Sequence, residues 1–481
     1  MHTLDLIIFI FYFLAMLAFG AFFMRSSKAK DDYYVGGRSM GRWHIGLSVV
    51  ATDVGGGFSI GLGGLGFLIG LSGSWMLFTG LIGAILSGVY LVPKVYQLSA
   101  QHKFLTFPQL FKFLYNGKVA MVAAVISAIG YWGFTSSQIL AGAKLASGTF
   151  DILSLDQALW LMGGVAVVYT VMGGLKAVIY TDTVQWILLL AGLIFIGIPL
   201  SIDFIGGWDR LYSELDPSTM RLDNVSWSQL INWAITIIPI WFVGMTLYQR
   251  IYASKSAQEA KKAWFIAGFF EWPVMAFLGT LLGVIAKVAW LENQIELPLL
   301  ESGQPDAETG LPVLLKTVFP VGLLGLIMSA YFSAIMSTAD SCLMAASGNI
   351  VSDLIEPNKK GGGDLSMVWN RAITFLVGGT AMVFAGFMTN VLDLMLLSYA
   401  FMVSGLLVPL LGGFFGKNHH PNAAIGAMIG GGVCTLALEI SGVSMPYDLD
   451  PNLFGLTTSL VIFYAISTYF KRHGYKHNYT G

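Results

Sequence analysis

An apolar segment near the start of the chain contains the sequence Ala51-Thr52-Asp53-Val54-Gly55-Gly56-Gly57. A carboxylate is costly in such a segment, so Asp53 is expected to face a cavity lined by protein. The glycines that follow disfavour a continuous helix. Carbonyl groups freed at a helix break, beside a carboxylate, suit a small hard cation such as sodium. The stretch predicts either an ion site at a broken helix or a glycine kink in which Asp53 bonds to a neighbouring helix.

The composition indicates a polytopic membrane protein. Of the 481 residues, 56% are hydrophobic and 11% are charged, which is typical of chains with many membrane-spanning helices. The formal net charge of -1 gives no reason to expect nucleic-acid binding. The cysteines, Cys342 and Cys434, lie in apolar segments and are expected to be packed side chains. The sequence contains no Walker loop, zinc-type histidine pair or nucleophile elbow, so we predict neither an enzyme nor a primary pump.

Apolar runs of spanning length recur along the whole chain and predict an all-α membrane protein with about 13 transmembrane helices. We place the runs at roughly 5–24, 44–70, 73–93, 119–147, 157–174, 181–202, 228–248, 263–288, 312–349, 369–390, 393–415, 423–440 and 453–470. The run at 312–349 is too long for one straight span, so part of it is expected outside the bilayer core.

The charges of the loops alternate, and this pattern predicts the orientation. Basic loops, which include Arg250, Lys255 and Lys359, are separated by acidic or neutral ones. Because basic loops stay in the cytoplasm, the N-terminus is expected outside and the C-terminus inside. The first run is long enough to span and lacks a basic start, so no cleavable signal peptide is predicted.

A second informative stretch runs from Ser333 to Ser341. On a helix, Ser333, Ser337, Asp340 and Ser341 fall on one face. Oxygen-only ligands favour a hard cation over a transition metal. The alternative is helix packing through small hydroxyl residues, which is common in membranes, although the acidic Asp340 fits that alternative less well.

For each of several other polar residues in the apolar runs, two structural roles are possible. Asp182 begins a span, where it is either a helix N-cap or part of an ion relay. Glu271 is either interfacial or faces a cavity. A helix break is also plausible at Pro239 and Gly244, in a span that would head a second repeat. Five further residues are either packing residues or the lining of a solute cavity: Trp75, Met76, Tyr131, Trp132 and Gln138.

The chain resembles the sodium:solute symporter family from about residue 5 to residue 470. Several separate motifs carry this resemblance and together are highly specific. They are Asp32-Tyr33-Tyr34-Val35-Gly36-Gly37-Arg38-Ser39-Met40, Gly173-Gly174-Leu175-Lys176-Ala177 followed by Tyr180-Thr181-Asp182-Thr183-Val184-Gln185, Gln249-Arg250 with Lys255-Ser256 and Glu259-Ala260 beyond it, and Met336-Ser337-Thr338.

The resemblance implies a fold of two inverted repeats of five helices, in which the first and sixth core helices are broken. The repeats would cover 44–202 and 228–415, joined by an external loop at 203–227. An extra helix and a cytoplasmic loop at 1–43 would precede them, and two helices and a short tail at 416–481 would follow. Sodium-driven import of a small organic solute by alternating access is implied as the function.

The resemblance also implies where sodium would bind. The principal site would use the carbonyls of Ala51, Val54 and Ala334 and the hydroxyls of Ser337 and Thr338. A second site, present in some members, would fall on Asp182, Ser337, Asp340 and Ser341. Asp53 stands where the proline transporters carry an aspartate that is important for sodium.

The solute-binding residues of the family match the residues of this chain less well than the sodium-binding residues do. The tryptophan that precedes the glycine run in choline transporters is Asp53 here, and the lysine of the sugar transporters is replaced by Glu271. The first departure argues against the aromatic cage of the choline transporters, and the second disfavours a sugar site copied from the sugar transporters. We expect a zwitterionic or cationic solute, for example an amino acid such as proline. The candidate solute contacts are Gly57, Phe58, Trp75, Met76, Gln138, Gly244 and Glu271.

Two alternatives to a sodium symporter stay open on the sequence. A proton could replace sodium, since Asp53, Asp182 and Asp340 could all relay protons. A membrane sensor could reuse the same fold without transport, but the short tail at 471–481 offers no signalling domain. For the symporter we expect Na+ as the coupling ion, a plasma or inner membrane location and a monomer sufficient for transport.

Overall fold

The fold is taken from a computed structural model, which describes residues 2–26, 30–150, 152–359, 364–416 and 420–473. Side chains are described throughout these ranges except at 16–17, 19–26, 30, 32, 54, 58–59, 173–174 and 176–177. The described residues form helices and connecting loops, without a β-sheet.

The α-helices are named in chain order. They are α1 (Thr3–Ser26), α2 (Lys30–Val35), α3 (Arg42–Gly56), α4 (Gly63–Ile69), α5 (Trp75–Tyr90), α6 (Val92–His102), α7 (Pro108–Leu114), α8 (Gly117–Thr149), α9 (Leu155–Gly192), α10 (Ile198–Phe204), α11 (Trp208–Ser213), α12 (Trp227–Val243), α13 (Met245–Ala253), α14 (Ala257–Phe269), α15 (Ala276–Leu291), α16 (Gly310–Val318), α17 (Leu323–Asn349), α18 (Met367–Ala385), α19 (Val391–Phe415), α20 (Pro421–Ser441) and α21 (Pro451–Arg472). Wider π-helical turns occupy Gly57–Leu62, Leu193–Gly197, Phe270–Met275 and Ile350–Ile355.

Length and apolarity identify 10 membrane-spanning candidates in the described part of the chain, or up to 11 if the bent pair α12 and α13 is one span. An all-α polytopic membrane protein is therefore confirmed, whereas the count of about 13 spans stays a prediction. The long run at 312–349 is divided between two helices, and the expectation that part of it lies outside the bilayer core stays a prediction. The short helix α16 ends at Val318, and α17 begins at Leu323 and provides the span.

The first predicted helix break lies at Gly55. Its backbone has φ 43° and ψ -129°, which interrupts α3, and the chain continues as the wider turn Gly57–Leu62 before α4. A positive φ suits glycine because it has no Cβ. A Cβ at Gly55 would also lie 2.4 Å from the hydroxyl of Thr338. The break therefore follows from local chemistry together with the close approach of α17.

The second predicted break lies at Gly244, between α12 and α13. The two helices bend by 40°, and the backbone of Gly244 is extended, with φ -69° and ψ 111°. Pro239 lies inside α12 and does not end it. Of the two positions that the sequence offered for this break, Gly244 is the one at which the helix stops.

Helices α8 and α17 form the centre of the bundle. Within the apolar 18-residue segment of the span that contains α17, 89% is buried inside the protein. The corresponding segment of the peripheral α21 is 11% buried. Helix α1 is linked to this centre, because Asp5 Oδ1 accepts hydrogen bonds from the N–H groups of Gly322 at 2.7 Å and Gly325 at 2.8 Å. A carboxylate at a helix N-terminus is favoured by the helix dipole.

Candidate functional site

Helix α8 holds the first break in place through Gln138. The side-chain Oε1 of Gln138 accepts a hydrogen bond from the backbone N–H of Gly56 at 2.7 Å. Its amide nitrogen donates to the hydroxyl of Ser137 at 3.3 Å. Gln138 is buried. Its Oε1 takes the place of the backbone carbonyl that would accept the N–H of Gly56 in an unbroken helix. This candidate solute contact has a positioning role at the break.

The same helix holds the second break through Tyr131. The Tyr131 hydroxyl accepts from the N–H of Thr246 at 3.2 Å and lies 3.1 Å from the Thr246 hydroxyl. Tyr131 and Gln138 are seven residues apart, which places them on one face of α8 two turns from each other. Both helix breaks therefore face one side of α8, and Gly244 lies beside the Tyr131 hydroxyl.

Three of the five residues expected at the principal sodium site meet at the first break. The hydroxyl of Thr338 donates to the carbonyl of Ala51 at 2.9 Å and lies 3.4 Å from the carbonyl of Ala334. The Ser337 hydroxyl is buried and makes no hydrogen bond in the described part of the chain, and it interacts with the carboxyl group of Asp182. Val54 directly precedes the break at Gly55, and its side chain lies outside the described atoms. The donor set is uncharged oxygen, which suits a hard monovalent cation.

The residues expected at a second sodium site are buried together. Asp182, Asp340 and Ser341 have almost no exposed surface. Asp182 Oδ2 accepts from Ser48 at 2.5 Å, and Asp340 Oδ1 accepts from Thr170 at 2.5 Å. The remaining carboxylate oxygens, Asp182 Oδ1 and Asp340 Oδ2, have no hydrogen-bond donor in the described part of the chain. Buried oxygens without donors are the kind of group that a cation satisfies.

The guanidinium of Arg250 lies beside Asp182 and Ser341 of this second group, and the prediction that Arg250 belongs to a basic loop was wrong. Arg250 was grouped with the basic loops, yet it lies in α13 and is completely buried. Its Nη2 lies 3.8 Å from Asp182 Oδ2 and donates to Ser341 at 2.7 Å and to Thr52 at 2.6 Å. A planar guanidinium can reach several oxygens at once. Two residues of the candidate second sodium site, Asp182 and Ser341, therefore already interact with the positively charged side chain of Arg250.

The carboxyl group of Asp53 interacts electrostatically with the carboxyl group of Glu271, which lies on a separate segment of the chain. Asp53 is half-buried, whereas Glu271 is fully buried and so is not interfacial. The backbone carbonyl of Asp53 accepts from the Tyr399 hydroxyl at 3.3 Å. The chain thus brings two carboxyl groups together beside the first break.

The other candidate solute contacts are spread over a larger region. Trp75 lies at the start of α5, where its indole N–H donates to the carbonyl of Leu222, in the loop before α12, at 2.8 Å. Met76 is buried. A Cβ at Gly57 would lie 3.0 Å from the sulfur of Met395. The side chain of Phe58 lies outside the described atoms.

An ion-pair cluster between Lys144 of α8 and the loop at 289–311 was not predicted from the sequence. Lys144 Nζ lies 2.8 Å from Asp306 Oδ2 and 2.8 Å from Glu308 Oε2. Glu308 also accepts from the N–H groups of Val391 and Leu392 at the start of α19. Burial raises the pKa of the Glu308 carboxyl, although Lys144 opposes this shift. The cluster joins α8, the loop and α19, and no motif marks it in the sequence.

The sequence pattern of the sodium:solute symporter family matches residues 33–431. The chain belongs to the sodium:solute symporter family. Relatives include the sodium/proline symporter of Salmonella typhimurium, 26% identical over 95% of this chain and 92% of that protein. The sodium/glucose cotransporter of Vibrio parahaemolyticus is 27% identical over 97% of this chain and 90% of its own length. Family and relatives are transporters, not enzymes.

Solved structures agree on the fold. A substrate-bound, outward-open Na+-coupled sialic acid symporter superposes with a TM-score of 0.78 over 98% of both chains, at 20% identity. Mhp1, a nucleobase-cation-symport-1 family transporter, superposes with a TM-score of 0.59 over 92% of this chain and 94% of its own, at 14% identity. At these identities the likeness concerns the fold alone. It supports the expectation of a transporter core with broken helices.

Proposed function

We propose that this family member imports a small organic solute by coupling it to the inward movement of sodium. The observation that carries the proposal is the contact between the Thr338 hydroxyl and the Ala51 carbonyl, 2.9 Å apart at the Gly55 break. It links α17 to α3 through oxygens that a sodium ion would use. An ion bound here would favour the arrangement in which the two helices stay together.

The principal site would consist of the carbonyls of Ala51, Val54 and Ala334 and the hydroxyls of Ser337 and Thr338. The buried Ser337 oxygen without a donor supports this assignment. The charge of Asp53 would contribute by attracting sodium towards the break. These roles rest on the family resemblance and on the placement of the oxygens.

A second sodium at Asp182, Asp340 and Ser341 would have to compete with Arg250. The hydrogen bond from Arg250 to Ser341 would need to open before Ser341 could bind an ion. Two positive charges close together in a low-dielectric interior repel strongly. We therefore propose that one sodium is bound in the arrangement described here and that a second binds after Arg250 moves.

The proposed organisation follows the sequence. Two inverted repeats at 44–202 and 228–415 would form the transporting core, with the external loop at 203–227 between them. Segments 1–43 and 416–481 would lie outside this core. The N-terminus would be outside, the C-terminus in the cytoplasm of a plasma or inner membrane, and one monomer would be sufficient for transport.

Reconstitution into liposomes tests the proposal directly. A panel of labelled solutes, including proline, choline, glucose and sialic acid, would be offered to vesicles with an inward sodium gradient. We expect one class to accumulate, and we expect accumulation to disappear when sodium is equal on both sides. Accumulation that ignores the sodium gradient would contradict the proposal.

A proton-coupled transporter is the second candidate, favoured by the donor-free oxygens of Asp182 and Asp340. A protonated carboxyl would place a hydrogen on such an oxygen. The same liposomes distinguish the two ions, because uptake driven by a pH gradient in sodium-free buffer would support protons and contradict sodium. A non-transporting sensor would show binding without accumulation of any solute.

A further inference from the structure

A cavity lies on the face of the protein that the basic loops predict to be cytoplasmic. Its volume is about 940 Å³, within the roughly 300–1,000 Å³ range of small-molecule pockets. It lies between α7, the start of α8, the turn Ile350–Ile355 that follows α17, and the start of α20. Asp353 of this turn is roughly 20 Å beyond Thr338 at about 1.5 Å per residue, so the cavity is separate from the proposed sodium site.

Two lysines give part of this cavity a positive charge. Lys112 of α7 and Lys118 of α8 line it, and both residues are exposed. Lys112 interacts electrostatically with Asp353. Neither lysine forms an ion pair within 4.0 Å among the described residues, so both ammonium groups are available to an anion.

Helix α8 begins in the same wall and adds free backbone donors. Asn116 caps the helix, because its Oδ1 accepts from the N–H of Val119 at 3.0 Å and its carbonyl accepts from the N–H of Ala120 at 3.1 Å. The N–H groups of Gly117 and Lys118 have no acceptor in the described part of the chain. A Cβ on Gly117 would meet no atom within 4 Å, so a ligand can approach closely. Free N–H groups at a helix start bind phosphate.

An aromatic cluster forms another part of the wall. The rings of His102 and Phe104 are stacked with an interplanar angle of 13° and centres 5.6 Å apart. The ring of Phe113 lies 4.8 Å from that of His102, centre to centre. All three residues line the cavity. Aromatic rings beside a cationic groove are the surface on which a nucleobase stacks.

The turn after α17 contributes buried polar groups to the cavity wall. Asp353 is 8% exposed and Ser352 is 9% exposed. Asp353 Oδ2 and the Ser352 hydroxyl make no hydrogen bond in the described part of the chain, although the Asp353 carboxyl interacts with Thr106 and Gln109. Buried polar atoms without partners need an explanation. A carboxylate accepts hydrogen bonds only, so it suits the hydroxyl or amino groups of a ligand.

We propose that this cavity binds a nucleoside phosphate. The free N–H groups at the start of α8, with Lys112 and Lys118, would bind the phosphate groups. The base would stack on the aromatic cluster, and Asp353 would accept from a ribose hydroxyl or an amino group. The phosphate of a lipid head group would fit the same cations, but it has no planar ring for the aromatic wall. The nucleoside phosphate is therefore the ligand that uses all three parts of the cavity.

The first experiment dissects the ligand. Isothermal titration of the purified full-length protein, in sodium-free buffer without solute, compares ADP with pyrophosphate and with adenosine. We expect ADP to bind at least tenfold more tightly than either fragment, because only ADP contacts both the cationic and the aromatic parts. Pyrophosphate that binds as tightly as ADP would overturn the assignment of the base. Absence of ADP binding would overturn the site.

The second experiment uses variants of exposed residues, which are not expected to disturb the fold. The double variant Lys112→Gln with Lys118→Gln is expected to weaken the binding of both ADP and pyrophosphate at least tenfold. Phe113→Leu is expected to weaken ADP and leave pyrophosphate unchanged. Lys262→Gln, on α14 and outside the cavity, is the matched control. Unchanged ADP affinity in the double lysine variant would overturn the proposal.

A third measurement separates a nucleotide from a lipid head group. ADP binding is compared in nanodiscs of phosphatidylcholine with and without phosphatidylglycerol, and we expect equal affinity. Loss of ADP binding in the anionic nanodiscs, through competition at Lys112 and Lys118, would assign the cations to lipid and overturn the proposal. These measurements need neither sodium nor solute, so their outcome is independent of the proposed transport function.

Discussion

The side-chain oxygen of Gln138 accepts the backbone N–H of Gly56 at 2.7 Å, and it does so from a different helix. Seven residues earlier on that helix, Tyr131 accepts the N–H of Thr246 at the other break. One face of α8 therefore supplies the hydrogen bonds that both broken helices lack. A transporter that moves these helices has to keep or release these two contacts.

We expect Gln138→Leu to destabilise the first break, because the buried N–H of Gly56 would lose its acceptor. An unsatisfied buried N–H costs about 1–3 kcal/mol. Gln138→Glu keeps an acceptor oxygen and is expected to retain more stability than Gln138→Leu. Thermal unfolding of the purified variants measures this order. Equal melting temperatures for the two variants would mean that the side chain only fills space.

Gly55→Ala is expected to abolish sodium-dependent stabilisation. The new methyl group would lie 2.4 Å from the Thr338 hydroxyl and 2.7 Å from Gln138 Oε1, at a φ of 43° that alanine rarely adopts. Gly379→Ala is the matched control, since a Cβ there meets no atom within 4 Å and alanine favours helix by about 1 kcal/mol. A fully sodium-responsive Gly55→Ala protein would contradict the geometry of the break.

Removal of Arg250 should be strongly destabilising, because Asp182 would remain buried without its cation. Breaking a buried ion pair costs about 3–5 kcal/mol. We expect Arg250→Leu to lower the melting temperature clearly and the double variant with Asp182→Leu to recover part of the loss. Arg210→Leu, at a half-exposed ion pair, serves as the control. A double variant that is no more stable than Arg250→Leu would show that the pair is not coupled.

Asp182 and Asp340 should act as one unit if a second sodium binds between them. Each single Asp→Asn change is then expected to lower the number of sodium ions moved per solute, and the double variant should do little further damage because the site is already lost. The ratio is read from the solute gradient at which net flux stops in liposomes. Additive losses at an unchanged ratio would show that the carboxylates are structural.

The sequence predicted both helix breaks because part of their cause is local, since glycine lowers helix stability at Gly55 and Gly244. Glycine alone does not decide a break, because three consecutive glycines at 430–432 lie inside the continuous helix α20. At Gly55 the close approach of Thr338 and Gln138 also contributes. Arg250 was misplaced for the opposite reason. Its partners, such as Ser48 and Ser341, are distant in sequence, so only the packed structure shows that this cation belongs to the interior.

Glu271 is a second residue whose position could not be decided from the sequence alone. The sequence showed an acid where sugar transporters carry a lysine, and it left the position either interfacial or facing a cavity. The complete burial of Glu271 and its packing against Gly80 of α5 decide between these readings, and Gly80 belongs to another helix. Residues that act through partners on separate elements need the fold before their role can be argued.

Sodium-dependent thermal stabilisation of Thr338→Val tests the central claim most directly, because it requires no knowledge of the solute. Valine keeps the shape of threonine and removes the hydroxyl that joins α17 to the Ala51 carbonyl. The control is Thr280→Val, because the hydroxyl of Thr280 donates to the carbonyl of Ala276 in its own helix. We predict that Thr338→Val raises the half-saturating sodium concentration at least about tenfold, or ~1.4 kcal/mol, while Thr280→Val leaves it unchanged. An unaltered sodium response in Thr338→Val, at normal folding, would contradict the assignment of this site.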